Sequence, residues 1–134
     1  MDIANKLKEL YRNTIRLKIG EREQHKLGGT RFGGVPDVPD DFAWPTFKTT
    51  TYDDDEMKER PLSFLAQFNC ADISILDKEG LLPKIGLLSF FYEVDSQRWG
   101  FDPKDAGCAR VFWFEDITML KIAEVPDDLH VDYR

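Results

Sequence analysis

Residues 30–45 place the strongest constraint on what this chain can fold into. The segment reads TRFGGVPDVPDDFAWP and combines two glycines, three prolines and three aromatic residues. Proline fixes φ at about −65° and has no N–H to donate, so neither a helix nor a regular strand runs through such a segment. Glycine permits backbone conformations that other residues avoid. The chain must therefore follow one irregular path here, and we expect its aromatic side chains, including Trp44, to pack on a core.

The N-terminal residues show two different hydrophobic periods. Apolar residues recur at helical spacing and predict a helix over residues 2–13 that Asp2 caps. We expect its apolar face to pack on the rest of the domain; this face consists of Ile3, Leu7, Leu10 and Tyr11. The period then changes to two, because Ile15, Leu17 and Ile19 alternate with charged residues. This alternation predicts a half-buried strand.

The remainder of the chain predicts an antiparallel sheet. Residues 86–93 are apolar on both faces, which is typical of a central strand. The polar residues 47–61 indicate a mobile surface loop. Other runs predict strands or short helical turns, at 62–69, 71–76, 109–114, 117–123 and 129–133. We therefore predict a single α+β domain over residues 1–134, mostly antiparallel β-sheet with one N-terminal helix and long irregular Gly/Pro-rich loops.

Charge is distributed unevenly along the chain. Residues 1–34 carry eight Lys/Arg against four Asp/Glu, a net +4, whereas residues 35–134 carry ten against twenty-one, a net −11. An acidic body repels the phosphates of nucleic acid and suits a basic protein partner, while the basic N-terminal part can dock on the acidic body. The densest acidic clusters are the candidate partner-binding residues: Asp53, Asp54, Asp55, Glu56, Asp127 and Asp128.

Nothing in the sequence predicts a membrane segment or a disulfide framework. No apolar run approaches 18 residues, and the N-terminus lacks the apolar stretch of a secretion signal, so we expect a soluble cytoplasmic protein without a membrane partner. Cys70 and Cys108 have no metal-binding spacing, which favours two buried, reduced thiols.

The motifs that usually carry chemistry are incomplete. The glycines of residues 28–34 are followed by no Gly-Lys-Ser/Thr, and the acidic run lacks the spacing of a calcium loop. His25 and His130 stand beside no nucleophile motif, which favours solvated surface histidines. Asp37 and its neighbours Asp40 and Asp41 resemble turn and cap residues beside prolines. The sequence therefore predicts no catalytic residue, no metal site and no cofactor.

Two amides in a predicted strand need partners. Gln67 and Asn69 have apolar neighbours, and a buried amide without a hydrogen bond costs free energy. We favour structural hydrogen bonds to the Gly/Pro-rich segment. The alternative is that they line a ligand pocket together with Trp44 and Arg31. The Pro36-x-x-Pro39 motif is interpreted as internal packing rather than as a peptide ligand for another protein.

Three stretches in combination resemble a known family. Residues 30–45, FLAQFN at 64–69 and LPKIGLLSFFY at 82–92 occur in the order and at the spacing of the YwqG-like family of bacterial proteins. The resemblance covers roughly residues 14–125 of a chain shorter than typical members. It implies a recognisable fold without an assigned activity, and the occurrence of some members beside toxin genes suggests an immunity role. A chain of this length is then a minimal version, a fragment, or a fold completed by a homodimer.

Three function hypotheses follow from these observations. The first is a non-enzymatic protein-binding module, of the immunity type, that uses an acidic surface. The second is a small-ligand binder built around Trp44, Gln67 and Asn69. The third is an enzyme whose groups, such as Arg31 with an aspartate, come together only in the fold.

Overall fold

The computed structural model describes residues 2–21 and 24–129. Its regular elements are short and strands dominate. In chain order they are α1 (Ile3–Glu9), β1 (Arg31–Phe32), β2 (Asp37–Val38), β3 (Thr46–Thr49), β4 (Lys58–Pro61), β5 (Ser63–Asn69), α2 (Cys70–Ile73), a 3₁₀ turn (Ser74–Leu76), β6 (Leu87–Tyr92), a second 3₁₀ turn (Pro103–Asp105), β7 (Ala109–Phe114) and β8 (Lys121–Ile122).

The main sheet has four strands in the order β1-β5-β6-β7, and every pair is antiparallel. Two smaller antiparallel pairs stand beside it, β2 with β8 and β3 with β4. This arrangement confirms a sheet-rich α+β fold. The strands predicted at 62–69, 86–93 and 109–114 are confirmed as β5, β6 and β7, and β6 lies inside the sheet as expected.

A bulge in β5 decides which side chains enter the core. Phe64 pairs with Phe91 and Ala66 with Phe90, so the register shifts between Phe64 and Ala66. Such an extra residue changes the alternation of side chains along the strand. Gln67 consequently lies on the same face of the sheet as Phe64.

The Gly/Pro-rich segment covers this face and forms the core with it. Leu62, Phe64 and Phe91 are buried at the centre, and Phe42 and Trp44 pack against them. The Trp44 indole Nε1 donates a hydrogen bond to the Leu62 carbonyl at 2.8 Å. The expected packing of the aromatic segment on the sheet is confirmed.

The opposite face of the main sheet is apolar and open. We define the open face as the side chains of Phe32, Phe68, Phe90, Val111 and Trp113. Pairing across the sheet puts them on one side, because Phe32 is opposite Ala66, Ala66 opposite Phe90, and Phe90 opposite Val111. Phe32, Val111 and Trp113 remain 47%, 56% and 45% exposed. Phe68 and Phe90 are half-buried, and Ala66 and Leu88, which lie on the same face, are buried.

The N-terminal helix is shorter than predicted and does not pack. Asp2 does cap it, accepting a hydrogen bond from the Ala4 N–H at 3.0 Å, but α1 ends at Glu9 instead of residue 13. The prediction that its apolar face is buried is wrong, since Ile3, Leu7, Leu10 and Tyr11 are 52–72% exposed. The core face of the sheet is covered by the Gly/Pro-rich segment, and α1 does not pack on the open face either, since Phe32, Val111 and Trp113 remain exposed.

The strand predicted at Ile15–Ile19 is also wrong. Residues 10–21 contain no regular element beyond the turn that ends α1, and Leu17 and Ile19 are exposed. Alternation makes a strand only where a neighbouring strand offers hydrogen bonds. In the structure, residues 15–19 pair with no strand.

The predicted loop over residues 47–61 is largely a hairpin. Strands β3 and β4 pair from Thr46–Pro61 to Thr49–Lys58. The Arg60 guanidinium donates hydrogen bonds to the Thr49 carbonyl, the Asp54 carboxylate and the Glu56 carbonyl. The planar guanidinium of Arg60 therefore holds the turn together through several hydrogen bonds. The composition of the segment had predicted a mobile loop.

The remaining expectations have mixed outcomes. The helical turn near 71–76 is confirmed as α2 and the 3₁₀ turn, whereas only Lys121–Ile122 of 117–123 forms a strand. The strand predicted at 129–133 falls almost wholly outside the described residues.

Cys70 and Cys108 are free and buried, as expected, and burial raises the pKa of both thiols. Among residues 2–21 and 24–129, no helix is long and apolar enough to cross a membrane.

Candidate functional site

The most organised polar cluster centres on Asp37. Its side chain is fully buried, and both carboxylate oxygens accept hydrogen bonds. Oδ1 is 2.9 Å from His25 Nε2. Oδ2 accepts from the Gly28 N–H at 2.9 Å, from Arg31 Nη1 at 3.0 Å and from Gln67 Nε2 at 2.9 Å. Four donors thus converge on one buried anion.

Local backbone features bring these donors together. Gly28 has a φ of +73°, a conformation that favours glycine, and this turns its N–H towards Asp37. The bulge in β5 directs Gln67 into the core, where its Oε1 accepts from the Asp37 N–H and its Nε2 also donates to the Gly29 carbonyl. Arg31 reaches Asp37 from β1, next to β5.

The electrostatics favour a permanent carboxylate. Burial alone would raise the pKa of Asp37, but hydrogen bonds from Arg31, Gln67 and Gly28, together with the positive charge of Arg31, lower it below its usual value. A carboxylate that is buried and fully hydrogen-bonded is a poor proton acceptor for a substrate. The cluster is therefore suited to fastening the Gly/Pro-rich segment to the sheet.

This cluster settles how three predicted residues are bonded. The favoured structural hydrogen bonds of the amides are present, since Gln67 contacts Asp37 and Asn69 Nδ2 donates to the Gly28 carbonyl at 2.9 Å. Arg31 does meet an aspartate, Asp37. The interpretation of Asp37 as a turn residue is wrong, because Asp37 lies in β2 and its side chain is fully buried. His25 is exposed, as expected of a surface histidine, but it also bonds Asp37, and nothing in the local sequence reveals that these two side chains meet.

A second site is an open groove between the Gly/Pro-rich segment and β7. Its volume is about 600 Å³, and its lining consists of Pro39, Asp41, Phe42, Ala43, Trp44, Pro45, Thr46, Arg110, Phe112 and Phe114. The aromatic rings support one another: the centroid of Phe42 is 5.2 Å from that of Phe112 and 5.8 Å from that of Phe114. The Arg110 guanidinium lies 5.0 Å from the Phe112 ring centroid.

The groove has the chemistry of a binding surface. Its floor is aromatic, and the two charged residues in its lining, Asp41 and Arg110, have opposite signs. Its volume falls in the range of about 300–1,000 Å³ that is typical of ligand sites, and its exposed lining is about as polar as it is apolar. The rings can stack against apolar or proline side chains, and the two charges can orient what binds.

Only one predicted ligand residue lies in this groove. Trp44 lines it, whereas Arg31, Gln67 and Asn69 belong to the network around Asp37 and Gly28. The structure therefore does not bring the four together in one pocket. The sequence analysis missed three residues of the groove, Arg110, Phe112 and Phe114. They alternate along β7 and so share one face of the sheet, and this alternation could have identified them.

The acidic candidates lie on the surface. Asp54 is 3.1 Å from Arg60 and 3.5 Å from Lys58, and its pKa is lowered, first by the Glu56 N–H and then by Arg60. Its charge is thus partly neutralised, while Asp53, Asp55 and Glu56 remain exposed at the turn between β3 and β4. Asp127 and Asp128 form an exposed turn after β8.

Within the described part of the chain, no three His, Cys, Asp or Glu side chains are grouped to hold a metal ion.

Comparison with protein families gives one clear result. The family described as "Domain of unknown function (DUF1963)" matches residues 30–131. The chain belongs to this family. The DUF1963 match begins at the Gly/Pro-rich segment and includes β1 to β8, so the Asp37 cluster apart from His25 and Gly28, and the whole groove, lie inside it. No curated protein and no solved structure matches the chain.

Proposed function

We propose that this DUF1963 domain is a non-enzymatic protein-binding module of the cytoplasm, whose groove accepts an extended apolar segment of a basic partner protein. The observation that carries the proposal is the groove itself, an open surface lined by the rings of Phe42, Trp44, Phe112 and Phe114. Aromatic-lined grooves suit extended proline-rich segments, because a preformed polyproline II helix loses little conformational entropy on binding.

The saturation of the Asp37 cluster supports a binding role over a catalytic one. Its carboxylate already accepts four hydrogen bonds inside the protein, so it has no free site for a substrate proton. Trp44 likewise uses its Nε1 to bond the Leu62 carbonyl and presents a ring to the groove. The groove therefore offers stacking surfaces rather than reactive groups.

The charge of the body supports a basic partner. Residues 35–134 carry a net −11, and the exposed acids of the β3–β4 turn lie at the far end of β3 from Thr46, which lines the groove. Opposite charges steer association over about 10 Å at 0.1 M salt. An immunity-type role, in which the module masks a toxic basic protein, is the form of this proposal that the YwqG-like resemblance suggests.

The proposal is tested with pairs of synthetic peptides of identical apolar and proline content. One member of each pair is flanked by lysines and the other by glutamates, and binding is followed by fluorescence polarisation. We expect binding of the lysine-flanked peptides only, with an association rate that falls steeply as salt rises. Equal binding of both members, or of neither, would contradict the proposal.

The location of the site is tested with one matched pair of variants. Ala43→Arg adds bulk and charge inside the groove without removing a core side chain, because Ala43 is exposed. Asp40→Arg makes a larger charge change on the neighbouring surface, outside the groove lining. We expect Ala43→Arg to abolish peptide binding and Asp40→Arg to weaken it slightly. The reverse order would place the binding site elsewhere.

A further inference from the structure

Two apolar surfaces of this chain have no partner in the structure. One is the exposed face of α1 and its end, consisting of Ile3, Leu7, Leu10 and Tyr11, and the other is the open face of the main sheet. Contiguous exposed apolar surface usually marks a site of association. We propose that two copies of this chain form a dimer by exchanging their N-terminal helices, so that α1 of each copy covers the open face of the other.

The open face is a preformed platform. Its rings are held edge to face, with centroid distances of 5.8 Å between Phe32 and Phe68 and 5.6 Å between Phe68 and Phe90. Trp113 is fixed by a hydrogen bond from its Nε1 to the Ile85 carbonyl at 2.9 Å. Four strands span about 14 Å at their usual spacing. A helix of seven residues is about 10 Å long and fits within this width.

Charge favours the body of this chain as the platform for α1. The helix and the residues after it carry Lys6, Lys8, Arg12, Arg16 and Lys18, whereas residues 35–134 carry a net −11. The helix therefore combines an apolar face with a basic flank. A second copy supplies the matching surface, an apolar platform on an acidic body.

The anchoring of Asn13 favours exchange over docking on the same copy. Its N–H donates to Glu79 Oε1 at 2.8 Å and its Nδ2 donates to the Leu76 carbonyl at 2.9 Å. These bonds fix the chain two residues after Tyr11, and from this anchor α1 projects with all its apolar side chains exposed. Exchange buries the apolar face of α1 and the open face of the sheet in both copies, because a two-fold symmetric contact repeats each interaction.

The size of the surface is sufficient. Each copy contributes nine large apolar residues, five of them aromatic, to two equivalent contacts. An aromatic residue buries about 150–250 Å². Seven of the nine residues are 45–72% exposed and Phe68 and Phe90 are half-buried, so their combined exposed area approaches the roughly 800 Å² per partner of a standard interface. This inference does not depend on the groove, which is formed on the other face of the sheet.

The first experiment measures the mass in solution by light scattering and sedimentation equilibrium. We expect a dimer for the unmodified chain. Leu7→Glu and Trp113→Glu should each weaken it about 100-fold or more, because each places one unpaired carboxylate in each of the two apolar contacts. Met57→Glu is the matched control, since Met57 is 57% exposed and lies outside both surfaces. A monomeric unmodified chain, or dimers that ignore both substitutions, overturns the proposal.

The second experiment tests the exchange itself. In a mixture of the Leu7→Glu and Trp113→Glu variants, the mixed dimer keeps one unmodified contact, the helix of one variant on the sheet of the other. Mixing should therefore restore dimers that neither variant forms alone. Failure of mixing to restore dimers overturns the exchange. Circular dichroism and thermal melting confirm that both variants fold, which is expected because the two replaced side chains are 52% and 45% exposed.

Discussion

The Gly/Pro-rich segment and residues 2–21 show that a periodic sequence need not be packed and that an irregular sequence can be. The segment over 30–45 has no periodicity, yet it covers the core face of the sheet and is fastened through Asp37 and Trp44. Residues 2–21 show clear helical and strand periods, yet none of them is buried. Periodicity thus predicts a local conformation, whereas burial depends on whether another surface is available to receive it.

The largest expected effect comes from removing the anchor of the irregular segment. Asp37→Ala should destabilise the fold by about 3–5 kcal/mol, because it leaves the buried ends of Arg31 and Gln67 without their acceptor. Chemical denaturation measures the change. Asp40→Ala, at an exposed neighbouring aspartate, is the control and should change the free energy of unfolding by less than about 0.5 kcal/mol. Similar effects of both substitutions would show that Asp37 does not fasten the segment.

The same anchor should give the fold a specific sensitivity to acid. Because the pKa of Asp37 is lower in the folded chain than in the unfolded chain, its contribution is complete above the unfolded pKa of about 3.9. The contribution is lost as the pH falls below that value towards the folded pKa. Unfolding free energies measured from neutral pH downwards should therefore differ between the unmodified chain and Asp37→Asn, with the gap narrowing only below about pH 4. A gap that narrows well above pH 4 would contradict this role of Asp37.

A smaller effect is expected where the segment is tied by one neutral hydrogen bond. Trp44→Phe keeps an aromatic ring against Phe91 but removes the Nε1–H that bonds the Leu62 carbonyl. The expected loss is about 1 kcal/mol, with some further cost from the smaller ring. Thermal unfolding followed by circular dichroism measures it. No change in the melting temperature would mean that the carbonyl finds solvent instead.

The smallest effect is expected in the regular but unpacked region. Leu7→Ala should alter the free energy of unfolding of a single copy by less than about 0.5 kcal/mol, because the side chain is 52% exposed. The measurement is chemical denaturation at a dilution where the chain is monomeric. A loss of about 2 kcal/mol or more would mean that α1 packs on its own domain, and the contrast between the two regions would disappear.

Much of the fold was predictable because its strands carry their own signals. Residues 86–93 are apolar on both faces, and this placed β6 inside the sheet. The β3–β4 hairpin was missed because its stability depends on Arg60, whose three hydrogen bonds join residues that are separated in sequence. The sequence could predict that Gln67 and Asn69 form structural hydrogen bonds, since buried amides need acceptors and donors. The meeting of His25 with Asp37, and the position of Phe112 opposite Phe42, depend on tertiary contacts that no local pattern records.

The bulge in β5 has a consequence for how this chain tolerates insertions and deletions. Phe64 and Gln67 are separated by an odd number of positions, and both face the core only because two residues, Leu65 and Ala66, occupy the space of one. Loss of the Leu65 codon would therefore leave every other side chain of the strand on its present side. Loss of any single codon on either side of the bulge would send the aromatic and amide residues beyond it to the wrong side. Leu65 and Ala66 are thus the two positions in β5 where the gene can lose one codon without changing the phase of the strand.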